Sequence, residues 1–399
     1  MAATINTNVP SLNAQRNLTA SASSLATTMQ RLSSGLRVNS AKDDAAGLAI
    51  AERMNTQVRG LSVAARNAND GISLAQTAEG ALGKLGDMLQ RMRELAVQAG
   101  NSTNSAADRT ALQAEVSQLR DEIDRVAKQT TFNNQKILDG SFAGAVFQIG
   151  ANSGNTVSVG ALTNATAQGL SKIDYAFNAT TNTGIASSAI TTLTAIATGT
   201  LAISVSGSTP IDLGAIAVAT TGDERLGQVV EAINRKTPDT GVTAYLTKAQ
   251  DGTYAIELYS SSLTTSGTAS PVSLTGFTTA TTGIAATTLG ATSSTGVDTL
   301  SVSTQGSAWL ALKKVDSAID QINTSRAMLG AMQSRFESAI SNIDNQVENL
   351  AASRGRIVDA DYAKETANLS RTQILQQAGM AMVAQANQLP QSVLSLLKS

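Results

Sequence analysis

The sequence predicts a fold that is mainly α with β: a long antiparallel helical hairpin or coiled-coil bundle, a small β-hairpin, and an inserted β-rich domain. Apolar residues recur every three or four positions at both ends of the chain and in two long segments between them, which is typical of helices packed against helices. A middle region rich in Thr, Ser, Ala and Gly separates the helical segments, and its short runs alternate as strands do. The length of 399 residues allows roughly two or three domains.

An apolar stripe predicts the N-terminal helix. Its members follow one another in steps of four and three: Leu18, Ala22, Leu25, Met29, Leu32 and Leu36. Up to residue 41 the charged side chains are Arg16, Arg31 and Arg37, whereas a solvated coiled coil carries Glu and Lys on its outer faces. We therefore expect this helix to be buried against protein on several sides.

A second stripe predicts the C-terminal helix. Its members recur every seventh residue: Leu375, Met382, Leu389 and Leu396. After Glu365 the charged residues are Arg371 and Lys398, so this helix is as poor in charge as the first. We expect neither terminal helix to have a partner within one copy. Because a lone helix is marginal in water, both should stay largely unfolded until copies assemble.

Long helices are predicted inside these ends. Sustained periodicity predicts a helix over 46–98, about 80 Å long at the helical rise, and a turn cluster over 100–105 ends it. A second helix follows, and residues 147–149 and 156–159 read as a β-hairpin. Helical periodicity returns over 312–350, with Arg326 and Gln333 at two positions of the apolar seam.

The middle region predicts a small, mostly β domain. Strands are predicted at 201–205, 242–246 and 254–259 and a helix at 226–234, with disorder as the alternative for so Thr- and Ser-rich a segment. The predicted divisions of the chain are 1–45 (N-terminal assembly helix and connector), 46–176 (N-terminal part of a core domain, with two helices and the β-hairpin), 177–306 (variable β-rich domain), 307–355 (C-terminal core helix) and 356–399 (C-terminal assembly helix).

Composition excludes several functions. Without Cys or His the chain has no disulfide, no thiolate metal site and no imidazole base, and its net charge of −1 favours neither nucleic acid nor an acidic membrane. No apolar run is long enough for membrane insertion, and the N-terminus has no features of a cleaved signal peptide. Carboxylates at Asp43, Asp44, Asp359 and Asp361 stand in helix-start or connector contexts, where Asp favours the N-terminal dipole of a helix, so they do not indicate a metal or catalytic site. We predict a chain that is not an enzyme and needs no cofactor.

Several long strings resemble bacterial flagellin. They comprise residues 31–47 (RLSSGLRVNSAKDDAAG), 67–82 (NANDGISLAQTAEGAL), 373–379 (QILQQAG) and 384–397 (AQANQLPQSVLSLL). The resemblance covers about 1–161 and 309–399. Parts of the middle resemble the repeat of flagellins and hook proteins named for its Ile-Asn pair, which here is Ile233-Asn234.

The resemblance implies a structural subunit that polymerises into the extracellular flagellar filament for motility. Export would be as an unfolded chain through the flagellar type III apparatus, without a cleaved signal peptide. The implied partners are other copies, the export apparatus, a flagellin export chaperone, the filament cap and the hook-junction proteins. The residues expected to carry subunit assembly are Leu18, Leu25, Met29, Leu32, Leu36, Leu375, Met382, Leu389 and Leu396.

A second implied site lies in residues 89–98, which resemble the segment by which many flagellins engage the host Toll-like receptor 5. The residues carried over are Gln90, Arg91, Glu94, Leu95 and Glu115. An Arg beside an exposed Leu is a plausible hot spot, and the same face is also expected to pack against a neighbouring subunit in the filament.

Two other functions remain open from the sequence. A hook-filament junction protein is also secreted and has similar ends, although the unbroken flagellin strings argue against it. An adhesin would use the inserted domain, whose few aromatics for sugar stacking are Tyr245, Tyr254, Tyr259 and Phe277.

Overall fold

The computed structural model describes residues 7–178, 184–249, 251–264 and 266–398, with the backbone alone at 178 and 389–398. The helices over these residues are α1 (Val9–Ser34), α2 (Ala45–Ala99), α3 (Ala106–Gln129), α4 (Gly222–Arg235), α5 (Thr237–Thr240), α6 (Thr279–Thr282), α7 (Gln305–Val358) and α8 (Tyr362–Lys398). The strands are β1 (Thr131–Phe132), β2 (Gln135–Lys136), β3 (Ala145–Gln148), β4 (Thr156–Val159), β5 (Lys172–Asn178), β6 (Ala202–Val205), β7 (Ile211–Asp212), β8 (Val242–Lys248), β9 (Tyr254–Ser260), β10 (Val272–Thr275) and β11 (Thr288–Thr295). The mainly helical prediction with an inserted β-rich region is confirmed.

The chain forms two compact units. The first unit comprises Met1–Asp70, Phe147–Val157 and Phe336–Ser399. The second comprises Gly71–Val146 and Ser158–Arg335.

The predicted β-hairpin forms as β3 and β4, and its part in the first unit, residues 147–157, packs on the helices of that unit. The ring of Phe147 meets that of Phe336 edge to face at 5.5 Å, and Asn67 Nδ2 donates to the carbonyl of Gln148 at 2.9 Å. Gly60 makes this approach possible, because a Cβ there would lie 3.0 Å from the Cβ of Ala151. Gly60 on α2 therefore leaves the space in which the hairpin packs on the helix.

In the second unit, parts of α2 and α7 pack with α3 around an apolar core. Its buried members include Leu82, Leu85, Leu89, Met92, Val116, Ile123, Val315, Ile322 and Leu329. The two polar residues at seam positions of α7 have a partner on α2: Gln333 Nε2 donates to Glu79 Oε2 at 2.8 Å, and Arg326 Nη2 lies 4.0 Å from Glu79 Oε1. Interruptions of the apolar periodicity thus mark a polar contact between helices.

The inserted domain is a seven-stranded sheet in the order β7-β6-β10-β11-β5-β9-β8, in which every hydrogen-bonded neighbour pair described is antiparallel. Helix α4 packs on it through Leu226, Val229 and Ile233, which are fully buried in the domain's core. The three predicted strands and the helix are confirmed, and the described residues form an ordered core rather than the disordered alternative.

Candidate functional site

The ends of α1 are fixed by local sequence. Asn8 caps the helix by accepting the Ser11 amide at 3.1 Å, and Pro10 lies in the first turn, where a missing N–H costs nothing. Gly35 ends it in the left-handed conformation, with its N–H donating to the Arg31 carbonyl at 2.9 Å.

The connectors next to α1 and α8 pair with each other. Leu36 and Asp359 form an isolated antiparallel bridge, and the Ala360 amide donates to the Gly35 carbonyl at 2.9 Å. The Arg37 amide donates to the Val358 carbonyl at 2.6 Å. The two connectors therefore meet as one short two-stranded joint.

Of the four acidic residues, Asp44 and Asp361 cap helices, whereas Asp43 binds amides within the connector. Asp43 Oδ2 accepts the amides of Asn39 and Ser40, and these bonds hold the pKa of its carboxyl below the ordinary range. Asp44 Oδ1 accepts the Gly47 amide at 2.8 Å, and Asp361 Oδ1 accepts the Ala363 amide at 3.1 Å. Over the described residues, no group of three or more carboxylates could hold a metal ion.

Beyond the joint, α1 and α8 run antiparallel along each other. Arg31 Nη1 lies 3.3 Å from Glu365 Oε1, and at the far end Asn8 Nδ2 donates to the Ala386 carbonyl at 2.7 Å. Between them, Leu18 sits on Gly379, where an added Cβ would be 3.2 Å from Leu18 Cδ1. The expectation that the terminal helices have no partner within one copy is therefore wrong.

The physical reason is that this seam is made largely of small and polar residues. On α8 a row with a spacing of seven faces the pair: Glu365, Thr372, Gly379 and Ala386. On α1 the buried residues are Ser11 and Thr28, and Leu18, Leu25 and Leu32 are half-buried between them. A search for apolar periodicity alone misses such a seam, although the seven-residue spacing of small and hydroxyl residues was a detectable signal.

The predicted assembly residues fall into two groups. Leu18, Leu25, Leu32 and Leu36 are half-buried, the first three in the seam and the last in the connector joint. The side chains of Met29, Leu375 and Met382 are 56%, 49% and 63% exposed, so the seam leaves them open.

On α8 the exposed row lies beside the buried one. Leu375 follows Thr372 by three residues, which places it about 60° around the helix at the ordinary helical twist. Ile374 and Met380 are also exposed, at 66% and 52%, but the helical twist places them on other faces of α8. The side chains of Leu389 and Leu396, which continue the row in sequence, lie outside the described residues. The helix pair therefore carries a lengthwise apolar surface that its own seam does not cover.

The second predicted site is an exposed charged cluster on α2 and α3. Arg91 Nε donates to Glu115 Oε1 at 2.8 Å, and Arg91 Nη1 donates to Glu94 Oε2 at 2.9 Å. The bond from Glu115 and then that from Glu94 raise the pKa of Arg91 above its ordinary value, and Gln90 is exposed beside them. The structure thus brings the four polar residues of the site to one surface.

Leu95 does not join them there. It is 1% exposed, so the expectation of an exposed leucine beside Arg91 is wrong. Leu95 lies three residues after Met92 and four before Ala99, both fully buried, and it therefore belongs to the buried stripe of α2. Leu95 therefore packs in the core beneath the exposed cluster and contributes no surface to it.

One chain thus contains a terminal helix pair with an exposed apolar row, a helical bundle and an inserted antiparallel sheet, and these features are typical of a coiled-coil subunit that self-assembles. Family models agree in detail: the bacterial flagellin N-terminal helical region matches residues 5–143, the C-terminal helical region matches 312–397, and the flagellin hook IN motif matches 200–262. The chain belongs to the bacterial flagellin family, and it is a structural filament subunit, not an enzyme.

Curated relatives match along the whole chain. Flagellin C of Vibrio cholerae is 40% identical over 418 residues, and the B-type flagellin of Pseudomonas aeruginosa is 37% identical over 489 residues; each match covers 100% of both chains. Among solved structures, the chain is similar to FliC from Burkholderia pseudomallei, with a TM-score of 0.37, 29% identity and coverage of 66% of this chain and 99% of that one. No helix among the described residues is long and apolar enough to cross a membrane.

Proposed function

We propose that the exposed apolar row of α8, together with Met29 of α1, forms the contact between copies in an extracellular flagellar filament. The observation that carries the proposal is the exposure of Leu375 and Met382 in a helix pair whose own seam is already formed. Apolar surface left open along a helix is stabilised by a partner helix, and identical copies provide one.

Electron microscopy of reassembled protein tests this proposal. We expect the double variant Leu375→Gln/Met382→Gln to remain soluble after heat dissociation and seeding, while the parent grows long filaments. The matched control Gln377→Ala/Gln385→Ala changes two exposed polar positions of the same helix and should polymerise like the parent. Filaments of normal length from the Gln variant would contradict the proposal.

The same proposal includes the route out of the cell and the assembly partners. The mostly polar seam of the helix pair supports export as an unfolded chain through the type III apparatus, because little apolar packing within the pair must be undone. An export chaperone would cover the terminal helices before export, and the cap and hook-junction proteins would meet them afterwards. A pull-down of the parent and the Leu375→Gln/Met382→Gln variant with the chaperone tests whether these partners share the row.

We also propose that the unassembled subunit is recognised by Toll-like receptor 5 through Gln90, Arg91, Glu94 and Glu115, with Leu95 in a supporting role. The support is that the guanidinium of Arg91 is exposed yet held in place by two carboxylates. A fixed, exposed Arg loses little conformational freedom on binding, as hot-spot residues require.

A receptor reporter assay with monomeric protein tests the recognition site. Arg91→Ala should shift the dose–response curve to higher concentration by roughly tenfold or more, as expected for loss of a hot-spot residue. Arg125→Ala is the matched control, because Arg125 is also exposed and paired to a carboxylate, Glu122, on α3. Equal curves for the two variants would refute the site.

The alternatives find less support. The full-length similarity to flagellins favours a filament subunit over a hook-filament junction protein. The adhesin function needs exposed rings, but Tyr259 stacks on Phe177 at 4.5 Å and contacts Trp309 at 5.1 Å, and Phe277 is 2% exposed.

A further inference from the structure

The seven-stranded sheet ends in a long strand with one neighbour. Among the described residues, strand β8 pairs only with β9, in a register that places Ala244 opposite Leu258. Antiparallel pairs alternate, so every second residue of an edge strand turns its N–H and C=O away from its neighbour. In β8 these residues are Val242, Ala244, Leu246 and Lys248. A row of this kind is a template for another strand.

The side chain of Asn234, near the end of α4, occupies part of that row. Its Nδ2 donates to the Ala244 carbonyl at 2.9 Å, and its Oδ1 accepts the Ala244 amide at 2.7 Å. A carboxamide has the donor and acceptor of a peptide group, and this two-bond exchange is what a residue of an adjacent antiparallel strand would make.

At Val242, the side chains of two threonines make the hydrogen bonds that an adjacent strand would make. Thr237 Oγ1 donates to the Val242 carbonyl at 2.7 Å, and Thr240 Oγ1 accepts the Val242 amide at 3.2 Å. The three side chains thus supply the four outward hydrogen bonds of the first half of β8. In the second half, the outward backbone groups of Leu246 and Lys248 find no partner among the described residues.

We propose that Asn234, Thr237 and Thr240 act as an edge guard, which keeps β8 from pairing with β8 of a second copy. The partner is a second copy because identical edges pair antiparallel about a twofold axis with the same residues on both sides. The open residues Leu246 and Lys248 span only residues 246–248, which is shorter than the roughly five residues of an ordinary strand, so the guarded edge is too short to pair well.

The exposure of Asn234 supports a guarding role over a folding role. Asn234 itself is exposed, whereas Ile233 beside it is fully buried in the core. Its two bonds cover the amide and carbonyl of Ala244, which is 1% exposed, at the edge of the sheet, while the core contacts of α4 are made by other side chains. Removing the Asn side chain should therefore open the edge without unfolding the domain.

Sedimentation velocity of the unseeded full-length monomer over a concentration series tests the inference. Asn234→Ala and Thr237→Val should each self-associate more than the parent, with an increase on the order of tenfold in the dimer association constant for Asn234→Ala. On association, the amides of Leu246 and Lys248 should gain protection from hydrogen exchange. The matched control is Thr282→Val, which removes a buried hydroxyl with three hydrogen bonds in the same domain, away from β8.

Asn234→Ala that stays as monodisperse as the parent and the control would overturn the inference. If that variant loses exchange protection across β9 and is therefore unfolded, Thr237→Val decides, and its failure to associate overturns the inference equally. Association without protection at Leu246 and Lys248 would also overturn it, because another surface would be responsible. Seeded filament growth, measured separately, reports on the proposed function of the α8 row and does not affect this outcome.

Discussion

The terminal helix pair and the inserted sheet are both poor in charge and rich in Ser, Thr and Ala, yet they use these residues in opposite ways. The helix pair buries Ser11, Thr28 and Thr372 in its seam and exposes Leu375 and Met382. The sheet domain encloses most of its large apolar side chains, and its proposed edge guard is formed by polar side chains. Composition therefore does not decide whether a region buries its own apolar side chains or leaves them exposed. The position of the large apolar side chains does.

Truncating the sheet's core should have the largest effect on stability. Leu226 is fully buried in the main cluster of the inserted domain, so Leu226→Ala should cost about 2–5 kcal/mol of that domain's free energy of unfolding. Denaturant titration followed by near-ultraviolet circular dichroism measures this. Seeded filament growth should persist, because the helix pair is untouched. If the variant kept a stable sheet domain but no longer grew filaments, the sheet domain and the helix pair would not be independent as this comparison requires.

A substitution at the closest approach of the two terminal helices should have an intermediate effect. A Cβ at Gly379 already comes within 3.2 Å of Leu18, so Gly379→Val should weaken the pair by about 1–3 kcal/mol through overpacking. Thermal melting of helical circular dichroism reports it. Gly80→Ala is the control, since nothing lies within 4 Å of an added Cβ there, and it should stabilise α2 by up to ~1 kcal/mol. Equal shifts in the same direction for both would contradict this seam.

A pH dependence confined to the sheet domain should be the smallest effect. Burial raises the pKa of the Glu257 carboxyl above its ordinary 4.5, against weaker opposing bonds from Thr304 and Tyr259. A carboxyl that binds its proton more tightly when folded stabilises the fold below the ordinary pKa. That stabilisation is lost as the pH rises through the folded pKa. We expect Glu257→Gln to gain stability relative to the parent between pH 4 and pH 7, measured by urea titration at each pH. If the stabilities of the parent and the variant changed with pH in parallel, Glu257 would not be the cause of the pH dependence.

The sequence predicted the elements whose apolar residues face their own chain. Helices α2, α3 and α7 follow from sustained periodicity, and even the polar interruptions at Arg326 and Gln333 have a partner in Glu79. Strand β11 was missed because its sequence, TLGATSST, has no apolar alternation, and its middle is exposed on both faces.

The candidate sites were predicted less completely, for two physical reasons. The terminal seam rests on hydroxyls and Gly379, which a search for large apolar residues passes over. Leu95 was expected at the surface because its distance from Arg91 suits a shared face, but its spacing from Met92 and Ala99 places it in the core. Spacing alone does not tell how wide the buried face of a helix is when more than one neighbour packs on it. The backbone pairing of the connectors had no sequence signal of its own.

The joint at Leu36 and Asp359 makes one mechanical unit of two distant stretches of chain. Because backbone hydrogen bonds tie the two connectors together, any tilt of the terminal pair must turn both connectors about the same point. A bend imposed on α1 is thereby imposed on α8. The two helices are therefore tied at one point, and the apolar row that we propose as the contact between copies would change its angle together with α1 in a single movement.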